Sequence, residues 1–318
     1  MKNIIVITWI ALFASSAYAQ TWPSKPVKFF VAGAPGSAPD IIARLVGERL
    51  TRIWGEQVIV DNRVGAAGNI GTQAAARAPA DGHNFLFGQA APLALNQHTF
   101  KNMPFDVERD FVPVVSMGLS PMMVAVNPAL PAKTLPELIA LAKADPGKVS
   151  FATSGAKNIP HLTGELINQR AGVKMFHIPY KIGSQGSADT VSGQVQVYID
   201  GVPPVSVHMK GERLRVLAVS SARRLPNFPD IPAVAETLPG YSFGGWFAIM
   251  APAGTSPEVL ARVNRDVNTV IRQPDIAERL LQFGIYEPGG TPEQLAQFIK
   301  SERENYGNAV RAAGILPE

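Results

Sequence analysis

Short runs of β-branched and aromatic residues alternate along this chain with longer stretches of helical periodicity. The alternation predicts an α/β fold with mostly parallel sheets. Candidate strands cover 27–31, 57–60, 84–87, 121–126, 149–152, 174–178, 195–199, 214–218 and 245–250. Helix starts are marked more sharply. Ser37-x-x-Asp40, Thr134-x-x-Glu137, Thr255-x-x-Glu258 and Thr291-x-x-Gln294 all have the spacing of a capping box. Pro136, Pro257 and Pro292 sit in first turns, where a missing N–H costs little. Two segments, VAVNPALPAKTLPELIALAK and FAIMAPAGTSPEVLARVNRD, repeat one unit of strand, Pro/Ala loop and capped helix. Two α/β lobes linked by crossing strands would place such a unit at each crossing. The four prolines of 225–239 make that stretch a rigid connection where the chain can return.

One stretch carries the candidate chemistry. In FFVAGAPGSAPDIIARLVGERL (29–50) an apolar run enters a loop of Gly, Ala, Pro and Ser, and an amphipathic helix leaves it. That layout aims free backbone N–H groups at an anion. Similar turns occur in ATSGAKNIPHLTGEL (152–166), where Asn158 is placed as a cap and Pro160 in the first turn, and in YKIGSQGSADTV (180–191). A fourth, GQAAPLALN, follows the strand ending at Phe87. Sheets of this kind bind ligands outside the carboxyl ends of their strands, so the four turns are expected to converge on one cleft. The plainer alternative is that such turns need small residues in any α/β protein.

Catalytic patterns are missing. The five histidines, His83, His98, His161, His177 and His208, form no zinc-binding spacing, and there is no G-x-S-x-G elbow. GAPGSAPD lacks the Lys-Ser or Lys-Thr of a phosphate loop, and AAGNIGT only partly resembles a dinucleotide fingerprint. With no cysteine, thiol catalysis, disulfides and thiolate metal sites drop out.

The first residues predict export. Met1-Lys2, the apolar run 4–13 and Ala17-Tyr18-Ala19 have the order of a secretory signal peptide cleaved after Ala19. The run is too short to span a bilayer. Without Lys2 there are 28 basic and 25 acidic residues, a net charge near +3. The basic residues are scattered, which disfavours nucleic acid, and the mild excess suits small anions in general. Roughly 300 mature residues are enough for a large core in about two domains.

Taken together, the segments resemble the Bug/TctC family, the periplasmic solute-binding components of tripartite tricarboxylate transporters. VIVDNRVGAAGNIGTQAAARAPADGHNFLFG carries the resemblance most clearly. KTLPELIALAKADPGKVSFATSG, PHLTGEL, SGQVQVYIDGVPP and RLRVLAVSSARRLPNFPDIPAVAETLPGYSFGGWFAIMAPAGTSPEV follow in the family's order. The resemblance implies a type II periplasmic binding protein fold with its ligand cleft between two lobes. On this reading 1–19 is the signal peptide, 20–120 and 225–318 form lobe I, and 121–224 form lobe II. It also implies a monomer without cofactor or metal that holds a carboxylate mainly on backbone N–H groups and hydroxyls and hands it to a membrane permease.

The candidate ligand-binding residues are Gly36, Ser37, Ala38, Asp40, Gln89, Ala91, Ser154, Gly155, Lys157, Asn158, Gln185 and Asp200. Ser37, Ser154 and Asn158 are expected to donate to the ligand, and Asp40 to fix its own loop. Asp200 either anchors the cleft or accepts a ligand amine or hydroxyl. His161 is read as a structural residue of a helix start, and Trp246 and Phe247 as core.

Departures from the family pattern bear on the ligand. The usual P-F-x-P-G-G-x-[ST]-D becomes Ala32-Gly33-Ala34-Pro35-Gly36-Ser37-Ala38-Pro39-Asp40, and Gly33 would leave room beside the nest. Lys157 replaces a glycine; it either reaches the ligand carboxylate with its ammonium or only adjusts the turn. Together they suggest a bulky, aromatic or branched carboxylate. A periplasmic receptor for an organic carboxylate is the leading expectation. The alternatives are a signalling protein that docks on a sensor, and an exported α/β enzyme, for which the sequence offers no anchor.

Overall fold

The computed structural model describes residues 22–317, so the signal-peptide reading lies outside the described residues. The chain opens with β1 (Val27–Val31), α1 (Ala38–Trp54), β2 (Val58–Asn62), α2 (Asn69–Ala76), β3 (Asn84–Gln89) and the short α3 (Val107–Asp110). The long β4 (Phe111–Val126) leads to α4 (Leu135–Ala144), β5 (Ser150–Thr153), α5 (Ile159–Ala171), β6 (Phe176–Pro179) and α6 (Gly183–Ser192). Then come β7 (Val197–Gly201), α7 (Val202–Ser206), β8 (Arg215–Val219) and α8 (Val234–Thr237). The chain ends with β9 (Gly244–Pro252), α9 (Pro257–Ile271), α10 (Pro274–Gln282) and α11 (Pro292–Ala312).

All nine expected strands form, but the expectation of mostly parallel pairing is corrected. The order is β2-β1-β3-β9-β4-β7-β5-β6, with β8 also on β4. β1 pairs in parallel with β2 and β3, and β5 with β6 and β7. Every ladder made by β4 or β9 is antiparallel. The physical reason is the crossing. β4 pairs with β9 over its first part and with β7 and β8 over its second, and β9 runs back beside it. Each crossing strand feeds one of the repeated units, β4 into α4 and β9 into α9.

Strands buried on both faces read as continuous apolar runs, which is why VKFFV forms β1. Val27, Phe29 and Val31 are fully buried beside Phe85 and Phe87 of β3, and Ile42, Val46 and Leu50 of α1 pack on them. Each such side chain stabilises by about 1.5–3 kcal/mol. A second core lies under β5, β7 and α5 around Phe151, Val197 and Leu162.

Three of the four predicted capping boxes are corrected. Thr291 and Gln294 exchange both bonds, whereas Thr134 accepts the Glu137 N–H but the Glu137 carboxylate takes the Lys133 N–H instead of closing the box. At α9 the cap is Ser256, because Thr255 is buried and donates to the Pro252 carbonyl. At α1 Ser37 makes no cap bond; its hydroxyl donates to the Ala34 carbonyl at 2.6 Å.

Candidate functional site

The sheet register brings the four turns to one seam. β3 ends at Gln89, which lies opposite Phe247, and Phe247 lies opposite Gly118 of β4. From the other half, Gly201 at the end of β7 lies opposite Met122. The carboxyl ends of β3, across the intervening β9, and of β7 therefore fall level with positions of β4 about 13 Å apart, four residues at strand rise.

On one side of the seam stand Gly36, Ser37, Ala38, Asp40, Gln89 and Ala91. Asp40 is buried and accepts the Gly36 N–H at 2.9 Å and the Arg44 Nε–H at 2.9 Å. Burial works against its charge, yet these bonds and Asn62 hold its carboxyl below the usual range. Gly36 has φ of 81°, a left-handed conformation that suits glycine. Asn62 donates to the Gly33 carbonyl, and Gln89 to the Ala32 carbonyl, so β2 and β3 both brace the loop. Ala91 begins the turn after β3. The first intrahelical bond of α1 runs from Ile41 to Ser37. Since Pro39 has no N–H, the donors of Ala38 and Asp40 take no acceptor among the described residues.

The room expected beside Gly33 is filled, which corrects that reading. A Cβ there would meet Ser37 Oγ at 2.8 Å and Pro39 Cγ at 3.0 Å. Three of the replacements in this loop act together: a smaller residue at 33 accommodates Ser37 and Pro39.

Across the seam stand Ser154, Gly155, Lys157, Asn158, Gln185 and Asp200. Asn158 caps α5 by accepting the His161 N–H, and its amide donates to the Ser154 carbonyl at 2.8 Å. Ser37, expected to donate to a ligand, thus uses its hydroxyl inside its own loop, and Asn158, also expected to donate, uses one of its two amide N–H groups there. Gly155 (φ of 126°) and Lys157 (φ of 58°) both have left-handed backbones. The Lys157 N–H is received by His161 Nδ1 at 3.0 Å. Asp200 is joined by Tyr198, whose hydroxyl donates to Asp200 Oδ2 at 2.8 Å, while Gly201 N–H donates to Oδ1. Burial and the Asp200 charge push the Tyr198 phenol far up, so it stays a donor. A Cβ at Gly183 would meet Ser154 Cβ at 3.0 Å and both Asp200 Oδ2 and Tyr198 OH at 3.3 Å. Gly183 is thus where the second turn, the third turn and β7 touch. Gln185 is exposed in the first turn of α6.

Sequence reasoning missed Tyr198, Asn62 and the ring contact behind the second turn. There His161 and His177 stack with centroids 3.7 Å apart, and Thr153 Oγ1 lies 2.7 Å from His177 Nε2. Tyr198 was within reach, since it sits two positions before Asp200 on one face of a strand. His161 is structural, as expected, and Trp246 is buried.

Among the described residues no helix is long and apolar enough to cross a membrane, and no group of acidic, histidine or cysteine side chains could hold a metal ion. The arrangement offers backbone N–H groups at the starts of α1 and α6 around a seam, with one tyrosine-bound carboxylate, whereas the α5 start has Pro160 without an N–H and its His161 N–H held by Asn158.

The sequence of this chain matches the profile of the tripartite tricarboxylate transporter family receptor over residues 42–315. A UPF0065 protein of Bordetella bronchiseptica is 39% identical over 308 residues, covering 97% of this chain and 91% of that protein. BugT of Bordetella pertussis is 35% identical over 303 residues, covering 95% and 93%. Among solved structures, an R. palustris protein with adipate superposes with a TM-score of 0.81 at 30% identity, covering 93% of this chain and all of that one. The periplasmic binding protein BugD superposes with a TM-score of 0.75 at 28% identity, with 93% and 100% covered.

Proposed function

Because the chain belongs to the tripartite tricarboxylate transporter receptor family, a family of periplasmic solute-binding proteins and not of enzymes, we propose that it captures an organic dicarboxylate. The ligand lies across the seam between the two strand-end groups, and a membrane permease of the tripartite type receives it. The protein acts as a monomer with two lobes, one on each side of the crossing strands, and closes by a hinge motion there.

What supports this reading is that the starts of α1 and α6, on turns that follow strands of the two parallel groups flanking β4 and β9, leave the N–H groups of Ala38, Asp40, Gly183 and Ser184 without a backbone acceptor. One carboxylate of the ligand takes the N–H groups of Ala38 and Asp40. The other takes those of the second and third turns. Asp200 opposes a bare carboxylate, so the group next to it is a ligand hydroxyl or a bridging water. The adipate seen with the R. palustris protein supports a linear dicarboxylate. The filled space beside Gly33 gives no support for a bulky one.

Thermal denaturation of the mature protein with a panel of linear dicarboxylates, aromatic carboxylates and their amides tests the proposal. A ligand at 1,000 times its Kd stabilises by about 4 kcal/mol and moves Tm by several degrees. We expect a shift with at least one linear dicarboxylate and none with its diamide. No shift with any acid, on protein refolded free of bound small molecules, would refute it.

A further inference from the structure

A cavity of about 380 Å³ lies at the crossing strands and is lined by none of the strand-end turns described above. Its wall is aromatic, with Phe243, Trp246, Tyr286 and Phe298. Arg223 and Arg224 line it too, but each is engaged elsewhere. Arg223 pairs with Glu287 at 2.8 Å, and Arg224 grips Glu236 with two bonds. One charge is left over. Glu302 lines the cavity, is half-buried, and accepts the Asn305 amide at 2.9 Å, with the neutral donors of Trp246 and Tyr306 beside it. Among the described residues no cation reaches it within ion-pair distance. The buried Trp246 indole N–H faces it without closing a short hydrogen bond. Burial raises the Glu302 carboxyl above its usual range, the response of a carboxylate with no counter-charge.

We propose that this cavity is a second binding site, for a hydrophobic amine: its ammonium pairs with Glu302 and its apolar body lies against the aromatic wall. Carboxylate and ammonium then form a charge-assisted bond, and the rings add a cation–π attraction that a neutral or anionic ligand cannot gain. An acid of the kind proposed for the seam would meet Glu302 as a like charge, so the two sites differ in chemistry. The wall draws on β4, β9 and segments on both sides of the crossing, so an occupant touches both halves at once.

Phenethylamine, 2-phenylethanol and 3-phenylpropanoate serve as probes, with calorimetry for affinity and the Trp246 indole N–H signal for location. The signal is assigned by its loss in Trp246→Phe. The amine should bind at least about tenfold more tightly than the alcohol, bind more tightly than the acid, and move the Trp246 signal. Glu302→Gln should remove the preference for amine over alcohol. Ser242→Trp, at an exposed position on the cavity rim, should weaken both probes and gives a second test if the Glu302 variant fails to fold. Equal affinity for amine and alcohol would overturn the proposal. So would amine binding that leaves the Trp246 signal in place, or an amine preference that survives Glu302→Gln.

Discussion

His161 and His177 stack nearly face to face, with ring planes 11° from parallel, directly behind the turn that carries Ser154 to Asn158. His161 Nδ1 accepts the Lys157 N–H, so its other nitrogen carries the proton and faces Glu165 at 3.6 Å. Two cations cannot share such a stack cheaply. Burial, followed by the nearby His161, pushes the His177 pKa down from 6.5 to about 4, while Glu165 pulls the other way.

The sign of the resulting pH dependence follows. A histidine with a depressed folded pKa contributes its stability above the unfolded value of 6.5, and that stability is lost as pH falls from there to about 4. The loss from this group is no more than about 3 kcal/mol, because His177 is only half-buried. Urea denaturation at intervals between pH 7.5 and 4 should show stability falling in this window, and His177→Gln should flatten the fall. An equally steep fall in the variant would assign it to other groups.

Asp40 is the second test. Its carboxylate holds the Gly36 N–H and Arg44, and its removal leaves the first loop without its main brace. Asp40→Ala should cost about 1–3 kcal/mol, the penalty for unpairing a buried polar group. It should also weaken the ligand more than tenfold, because the loop's N–H groups lose their aim. Ligand affinity unchanged in a folded variant would separate this loop from the site.

Lys157 tests backbone against charge. Its φ of 58° suits glycine and penalises a β-branched residue. Lys157→Val should lower stability by about 1–2 kcal/mol, whereas Lys157→Gly should leave it unchanged or slightly raised. We expect Lys157→Gly to keep ligand affinity within about threefold, the outcome for a residue that only shapes the turn. A tenfold or larger loss would instead assign the ammonium to the ligand, at the ~1.5–3 kcal/mol of a charge-assisted bond.

The strands and the small-residue turns were legible because their signals are local. Apolar runs such as VKFFV and the glycines of GAPGSAPD carry their own conformational preferences. Pairing direction was not legible, since the antiparallel character of β4 and β9 follows from where the chain crosses. The same limit applies to the caps. Ser37-x-x-Asp40 matches a capping box, but Arg44 and Asn62 draw Asp40 into a loop brace instead. Thr255 is one position early because burial commits its hydroxyl to Pro252. At the site, Gly183 was readable as a turn glycine and not as the contact between Ser154, Tyr198 and Asp200, which three separate elements supply.

That contact gives the most specific prediction. A methyl at Gly183 would stand 3.0 Å from Ser154 Cβ and 3.3 Å from the Tyr198 and Asp200 oxygens, tighter than ordinary van der Waals contact. The Gly183 carbonyl also lies 3.2 Å from the Tyr198 hydroxyl, whose proton goes to Asp200, so the start of α6 sits directly against the phenol. Gly183 itself is free of positive-φ strain, so alanine is penalised by crowding and not by backbone conformation. The variant relieves the clash by moving the first turn of α6, at an overpacking cost of about 1–3 kcal/mol. Because the proposed dicarboxylate takes donors from that turn, its affinity should fall at least tenfold even well below Tm. Tyr198→Phe provides the control: it removes the phenol bonds and leaves the crowding untouched. If Gly183→Ala binds like wild type while Tyr198→Phe does not, the phenol and not the helix start governs this side of the site.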